Sequence, residues 1–535
     1  MKLRHLLFGL LAGVAFVACT NDNEPAGVTP ANGENEVAVA KYMAVNFVMP
    51  SADTRAIDDD GFKAAEQNEN DVKKATFLFF KGESQIAAPY TINAGAADEA
   101  GVIWTPGTAA EKAPVIVMKN PTAVPDALVV LINYAGTVDQ NKSLTDVKGI
   151  FDNYSATADG FVMSNSVYID ATGKQVIGAP VSAANVKDDI DEAKVAPVTV
   201  NVERVLAKVT VEDKTEETTV NGLTVELKGW GLVYENTKSY LIKNLKTSYD
   251  FGATWAKWND VANQRSYWAD SYTYTPATTT TGTSWADIAK NALGTTPKYT
   301  QENVPALPQK TISEGGTPTM VVVAAELQKN GEGVDLYKFG GIVYEKADLI
   351  TLMANGYVGT YYKKDASGKL VNLDPATDYD LNAVTATDIE KYEAKVNLVL
   401  KATAVFDATG KDVTADAKAA IEGKLETVQY WQGGAAYYFV PIVQNSALEV
   451  NVKTPAKEAT ADSPAVQATY WGLFGVVRNH FYQLSINKVV GMGTAVPKTD
   501  QQIIPEIPEE TDTYIAAKIK ILDWKLVKQE VNLGE

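Results

Sequence analysis

YMAVNFVM, residues Tyr42 to Met49, alternates strictly: Met43, Val45, Phe47 and Met49 fall on one side, Ala44 and Asn46 on the other. A period of two with one apolar side predicts a β-strand with that side in a core. The surroundings matter as much as the pattern. Upstream stands Cys19, the single cysteine of the chain, at the end of an apolar N-terminal run. Downstream stands Arg55, in the polar stretch SADTRAIDDDG at residues 51–61. A core strand therefore lies between a candidate lipid anchor and a candidate protease site. Cutting at Arg55 would let the strand leave and would open a groove in the fold.

Outward from that strand toward the N-terminus, Lys2 and Arg4 supply a positive start and Leu6 to Ala18 an apolar run, the pattern of an export signal. The run closes with Phe16-Val17-Ala18-Cys19, and small residues before a lone cysteine resemble a bacterial lipoprotein signal with Cys19 acylated. Without Cys19 the chain has no cysteine, so no disulfide braces the fold. Asn21 to Glu36 reads as a polar tether. In the other direction, Asp58, Asp59 and Asp60 could bind calcium. They lack the alternate-position ligand pattern, so a solvated, protease-accessible loop is the better reading.

The 535 residues carry a net charge of −18, which argues against nucleic acid and against docking on an anionic membrane surface. After the N-terminus no apolar run reaches the ~18 residues of a spanning helix. The length favours two to four domains. There are two histidines, His5 and His480, and the first lies in the signal. That leaves no Ser-His-Asp set, no Cys-His pair and no zinc-ligand cluster. His480 reads as structural, nothing selects a catalytic carboxylate pair, and the expectation is no enzyme, no cofactor and no metal.

Along the chain, residues 72–80 and 127–134 read as strands, the second apolar on both faces and hence central. Ser143 to Asn153 puts Leu144, Val147, Ile150 and Phe151 on one helical face with Ser143 as N-cap. Residues 198–211, VTVNVERVLAKVTV, form the longest alternating run. Its phase slips near Glu203-Arg204, which predicts a bulge or a strand passing between sheets. Residues 320–327 and 395–406 read as long strands, and 285–293 and 413–425 as short helices. DATGKQV at Asp170, DASGKLV at Asp365 and DATGKDV at Asp407 share turn chemistry: Asp closes the loop and Gly supplies a positive φ. Within residues 471–493, Phe481, Leu484, Ile486 and Val489 supply a strand that closes the core. A Pro- and Glu-rich linker at 497–513 follows. The last strand has Ile515, Ala517, Ile519 and Ile521 on one side and continues to Trp524, with Val527 and Val531 beyond.

The lipoprotein signal, the Arg55-Ala56 junction, VERVLAKV (202–209), RSYW (265–268), QEN (301–303), VVRNHFY (476–482) and the closing Asp523-Trp524, in this order, resemble the fimbrillin family of Bacteroidetes. Their spacing is most similar to that of shaft subunits of the short (minor) fimbriae of Porphyromonas. The resemblance implies a mainly β fold, with two tandem transthyretin-like β-sandwich domains, a few short helices and a C-terminal donor strand. It implies acylation at Cys19, cleavage of Arg55-Ala56 by an Arg-specific surface protease, and removal of the strand bearing Met43, Val45, Phe47 and Met49. The donor would be Ile515 to Leu533, through Ile515, Ala517, Ile519, Ile521, Trp524, Val527 and Val531. The expected spans are a signal (1–19), a propeptide (20–55), an N-terminal sandwich (56–212), a C-terminal sandwich (213–505) and the linker with donor strand (506–535). The implied partners are other copies in a homopolymer, accessory fimbrial subunits, the protease, and host or bacterial receptors. The membrane is met only through the precursor's lipid, and the mature chain sits in a surface fimbrium.

The physical reading agrees with this. A missing strand leaves unpaired N–H and C=O groups beside an apolar trough, a template for strand addition. Two rivals share the sequence. One is an accessory anchor or tip subunit. The other is a monomeric glycan-binding lipoprotein using aromatics such as Trp255, Trp258, Trp268, Tyr272, Tyr430 and Trp431.

Overall fold

In the computed structural model the alternating stretch is a strand, Ala40–Val48. The structure describes residues 40–48, 62–63, 69–106, 114–155, 160–169, 175–215, 219–245, 269–275, 284–304, 306, 315–385, 392–443, 452–454, 460, 469–470, 474–501 and 524–533. The fold is mainly β, with several sheets and a few short helices, as the sequence predicts.

The first large sheet runs in the order Ser84–Gln85, Lys74–Lys81, Ala127–Ile132, Met163–Asn165, Val198–Arg204, Ala40–Val48, Val115–Lys119. Ala127–Ile132 is interior and buried at all six positions, which is why it is apolar on both faces. Val198, Val200 and Val202 belong to this sheet's core, with Phe77, Phe79, Leu128 and Val130.

The phase slip in the longest run is a passage between sheets. Val198–Arg204 ends in the first sheet. Leu206–Asp213 begins a second one, ordered Gly294–Gln301, Leu206–Asp213, His480–Val489, Trp524–Leu533, Phe62–Lys63. Val205 and Leu206 still pack in the first core. Ala207, Val209 and Val211 pack in another, beside Tyr482, Leu484 and Ile486 of His480–Val489. Leu223–Val233, Met320–Lys329 and Ala435–Pro441 close that second core from a third sheet, through Trp230, Val321, Val323 and Tyr437. Two sheets sharing one apolar cluster across their faces is sandwich packing.

Met320–Lys329 and Ala435–Pro441 are antiparallel neighbours, in register from Met320↔Pro441 to Glu326↔Ala435. The chain between them makes a module with its own core. A five-stranded sheet, which includes Leu336–Phe339, Glu393–Leu400 and Glu426–Trp431, is covered by the helices Lys346–Ala354 and Thr414–Glu422.

Several expected boundaries are corrected. The helix at Ser143 has the expected cap, Ser143 and Asp146 forming a capping box, but spans only Leu144–Lys148. Gly149 ends it, and Phe151, 42% exposed, starts a short strand paired with Ser239–Tyr240. The helix at Trp285 stops at Ile288, because Asn291 turns its carbonyl to the Trp230 amide of the neighbouring strand (2.9 Å). The helix expected over 413–425 spans Thr414–Glu422. The strand expected over 395–406 is Glu393–Leu400; beyond it the Lys401 amide bonds to the Asp378 carbonyl and Phe406 pairs with Tyr362. The Asp365 and Asp407 turns form as read. Each Asp Oδ1 accepts from the amide and hydroxyl two residues on and from the amide four residues on, and Gly368 and Gly410 both sit at φ 83°. Asp170 lies outside the described residues.

Candidate functional site

Ala40–Val48 is an interior strand. On one side it runs parallel to Val198–Arg204, with Val45↔Val198 to Val48↔Asn201 in register. On the other it is antiparallel to Val115–Lys119, from Ala40↔Lys119 to Ala44↔Val115. Among the described residues, Val115–Lys119 has no other strand partner. Further backbone bonds tie the strand in, between Tyr42 and Lys187 in both directions (2.8 and 3.0 Å) and from the Val45 amide to the Pro114 carbonyl (3.1 Å). Lys41 also pairs with Asp188.

The side chains follow the predicted alternation only in part. Met43 and Val45 are fully buried in the first core, and Phe47 lies 5.8 Å from the Phe77 ring and 5.9 Å from Trp104. Ala44, expected to face outward, is buried as well, against Val115 and Ala193 of the helix Ile190–Val195. The correction has a simple cause: that helix covers the second face, and alanine is small enough to lie beneath it. Met49, Cys19, Arg55 and Ala56 lie outside the described residues. So do Ile515, Ala517, Ile519 and Ile521.

The final strand is Trp524–Leu533, which carries Trp524, Val527 and Val531. It is paired within its own chain. It runs parallel to His480–Val489, with Tyr482↔Val527 and Ile486↔Val531 in register, and Phe62–Lys63 borders its other edge. Thus Phe62–Lys63, seven residues after Arg55, meets the far C-terminus, while Val48, seven residues before Arg55, ends the N-terminal strand.

A buried polar seam lies where the two cores meet. Arg204 and Arg478 have no exposed surface. Arg204 donates from Nε to the Glu69 carbonyl (2.8 Å) and from a terminal nitrogen to Asn479 Oδ1 (2.9 Å), and it also reaches Asn70. Arg478 donates to Glu302 Oε2 (2.8 Å) and to the carbonyls of Leu241 (3.2 Å) and Tyr240 (2.7 Å). Lys208 Nζ and the Tyr299 hydroxyl both donate to Glu69 Oε1, at 2.8 and 2.6 Å. Lys243 lies 3.9 Å from Glu203. A guanidinium suits such a place because its rigid fork of donors satisfies several acceptors at once. Sequence reasoning missed Glu69, Lys208, Glu302 and Arg478. The available signal was charge set inside apolar alternation, as in VERVLAKV.

His480 is buried, with Nδ1 2.7 Å from the Arg478 carbonyl. Tyr430 and Trp431 are buried too. Tyr430 stacks on Tyr337 at 4.8 Å and bonds to Asp335, and burial first, then the Asp335 charge, pushes the Tyr337 hydroxyl up to about 12. Neither offers a face to a sugar. Tyr272, at the surface, leans on Phe151 at 4.9 Å. Trp255, Trp258 and Trp268 lie outside the described residues. Among the described residues no group of three or more His, Cys, Asp or Glu is placed to hold a metal ion.

Residues 429–530 match the family model described as major fimbrial subunit protein type IV, fimbrillin, C-terminal. No curated protein sequence matches the chain. Among solved structures, a fimbrilin of Porphyromonas gingivalis W83 is similar at 12% identity, covering 93% of this chain and 97% of its own, with a TM-score of 0.33. A fimbrial assembly protein of Parabacteroides distasonis aligns at 12% identity over 68% of this chain and 96% of its own, TM-score 0.27. A tip fimbrial protein of Porphyromonas gingivalis, truncated at its C-terminus, aligns at 13% identity over 57% and 80%, TM-score 0.26.

Proposed function

We propose, from the premise that this chain is a fimbrial subunit with a fimbrillin C-terminal region at residues 429–530, that it builds the shaft of a surface fimbrium by exchanging strands between copies. It is a structural subunit and not an enzyme. The precursor leaves the cell as a lipoprotein acylated at Cys19 and is cut between Arg55 and Ala56. The strand Ala40–Val48 then gives way to the C-terminal segment, Ile515 to Leu533, of a neighbour, whose Trp524–Leu533 must first leave its pairing with His480–Val489 of its own chain. Residues 56–212 and 213–505 are taken as the two sandwich domains of the mature subunit, with Leu206–Asp213 passing from the first into the core of the second.

The observation that supports this most is the interior seat of Ala40–Val48 upstream of Arg55. Once the link at Arg55 is cut, only non-covalent forces hold the strand. Losing it would strip Val198–Arg204 and Val115–Lys119 of a shared neighbour and uncover the places of Met43, Val45 and Phe47. Each such side chain is worth about 1.5–3 kcal/mol in burial. An incoming strand with alternating apolar residues recovers that term, offset by the cost of ordering it. Donation from one copy to the next is heterologous and does not close, so it gives a filament.

Purified Ala56–Glu535 should form fibres visible by electron microscopy, and deleting Tyr514–Glu535 should abolish them without unfolding the subunit, the circular dichroism losing only the β signal of the deleted strand Trp524–Leu533. Fibres from the truncated subunit would refute the donor assignment. The Arg55→Ala precursor should stay monomeric and lipid-anchored; normal fimbriae from it would rule out processing as the trigger.

A further inference from the structure

Phe151 and Asp152 pair with Tyr240 and Ser239, and where this short pairing ends a cavity of about 380 Å³ begins. Residues 153–155, 235–237 and 299–301 line it, with Leu206. Tyr154 packs in the first core, and Tyr234, beside the second of these segments, packs in the other, so the cavity lies where the two cores meet. Its volume is within the roughly 300–1,000 Å³ of small-molecule sites.

Three of the lining residues, each at most 6% exposed, carry a buried side-chain oxygen with no hydrogen-bond partner: the Tyr154 hydroxyl, Asn236 Oδ1 and Gln301 Oε1. Buried polar atoms are nearly always bonded, so three together at one cavity call for a reason. Both amides are held by their nitrogen. Asn236 Nδ2 donates to the Glu302 carbonyl (2.8 Å), and Gln301 Nε2 donates to Asn153 Oδ1 (3.3 Å) and to the Tyr154 carbonyl. Turning either amide over would break these bonds, so the oxygens are fixed as acceptors. Burial pushes the Tyr154 hydroxyl up, so it keeps its proton and can donate at neutral pH. Glu235 adds a carboxyl group, raised by burial against the pull of the Thr300 hydroxyl and then the Lys298 charge. The lining therefore offers acceptors and a donor together. An anion would face two bare acceptors and a carboxyl group, and an ammonium would leave the Tyr154 proton unused. A hydroxyl group both donates and accepts, and serves every one of them.

The chain next to the cavity is aromatic. Phe151 precedes the lining residue Asn153 by two positions, and Lys238 follows the lining residue Thr237. Phe151 and Tyr272 are 42% and 36% exposed, their rings 4.9 Å apart, with Lys238 Nζ 5.3 and 5.6 Å from them. An aromatic face is negative. A pyranose turns weakly positive C–H groups to such a face and keeps its hydroxyls around its edge. We infer that this cavity and its aromatic neighbours bind a neutral sugar, whose hydroxyls meet Tyr154, Glu235, Asn236 and Gln301 and whose ring rests against Phe151 and Tyr272. Strand exchange uses none of these residues, so the inference goes beyond the shaft role and does not depend on it.

The test uses the purified full chain and saturation-transfer NMR with lactose, maltose, mannobiose and diacetylchitobiose, each alone, and with spermidine as an amine probe. At least one of the neutral disaccharides should receive transfer, and spermidine should receive none. For the sugar that binds, affinity should fall about tenfold in the double variant Phe151→Ala/Tyr272→Ala and again in Glu235→Gln, with thermal melting to show that each is folded. Both rings are at the surface, so the double variant should fold even where Glu235→Gln does not. Transfer to none of the sugars would overturn the inference, since water alone would then serve the buried oxygens. So would transfer to spermidine in place of a sugar, or an unchanged affinity in the double variant. Fibre formation is read separately on Ala56–Glu535, so failure of the sugar site and failure of strand exchange are told apart.

Discussion

Glu302 and Arg478 show at the scale of single residues what holds the two cores together. The pair is 2.8 Å apart with no more than 1% of either side chain exposed. Removing one member of a buried pair leaves the other uncompensated, a loss of about 3–5 kcal/mol. Glu302→Ala should therefore unfold at markedly lower urea concentration, and an unchanged midpoint would show that Arg478 is satisfied by the Leu241 and Tyr240 carbonyls alone. The surface turns behave differently. Hydrogen bonds from the Ser367 hydroxyl first, then the Lys369 amide, hold the Asp365 carboxyl below the ordinary carboxylate range; the Thr409 hydroxyl, then the Lys411 amide, do the same for Asp407. A depressed folded pKa stabilises the turn above the unfolded value, about 3.9, and that contribution is lost as pH falls through the lower folded value. The protection factors of the Lys369 and Lys411 amides, each relative to the unfolded chain at the same pH, should thus hold down to about pH 4 and fall below it. Loss of protection at higher pH would contradict the assignment.

Among the elements, Ala40–Val48 sits between two strands, one parallel to it and one antiparallel. Any strand that replaces it must present apolar residues at every second position. A synthetic peptide of residues 40–48 should accordingly compete with assembly. Added in excess to Ala56–Glu535, it should shorten or abolish fibres in a sedimentation assay, while a peptide with Val45→Asp should not. Equal effects of the two would mean that the trough opposite Met43 and Val45 is not where assembly happens. The helix Ile190–Val195 adds a steric condition, because it lies over Ala44. A replacement strand needs a small residue there, and the donor pattern offers Ala516 on the side opposite Ile515 and Ala517.

For the molecule as a whole, the module between Met320–Lys329 and Ala435–Pro441 is an insertion into what would otherwise be a hairpin. It has its own cluster, with Leu349, Val396, Leu398 and Ile421. Replacing residues 332–433 by a short turn should leave the sandwich folded, because the register from Met320↔Pro441 to Glu326↔Ala435 does not need the module. The loss would be confined to contacts such as Leu336 and Trp431, which pack on the second core. Thermal melting of the excised chain would test this, and collapse of all its β signal would show that the module is required for folding.

The mainly β class was legible in the residues themselves, since alternation with period two is a local property. So was the passage between sheets at Glu203-Arg204, because a one-residue slip exchanges the faces of every residue that follows. The Asp365 and Asp407 turns were legible too, being closed by bonds within five residues. Other features are pairings between distant parts of the chain. The second covered face of Ala40–Val48, the partner of Trp524–Leu533, the early end of the helix at Trp285, and the seam joining Glu69 to Lys208 and Glu302 to Arg478 are all of this kind. No local pattern encodes them, because which group meets which is decided only when sheets far apart in sequence close over a common core.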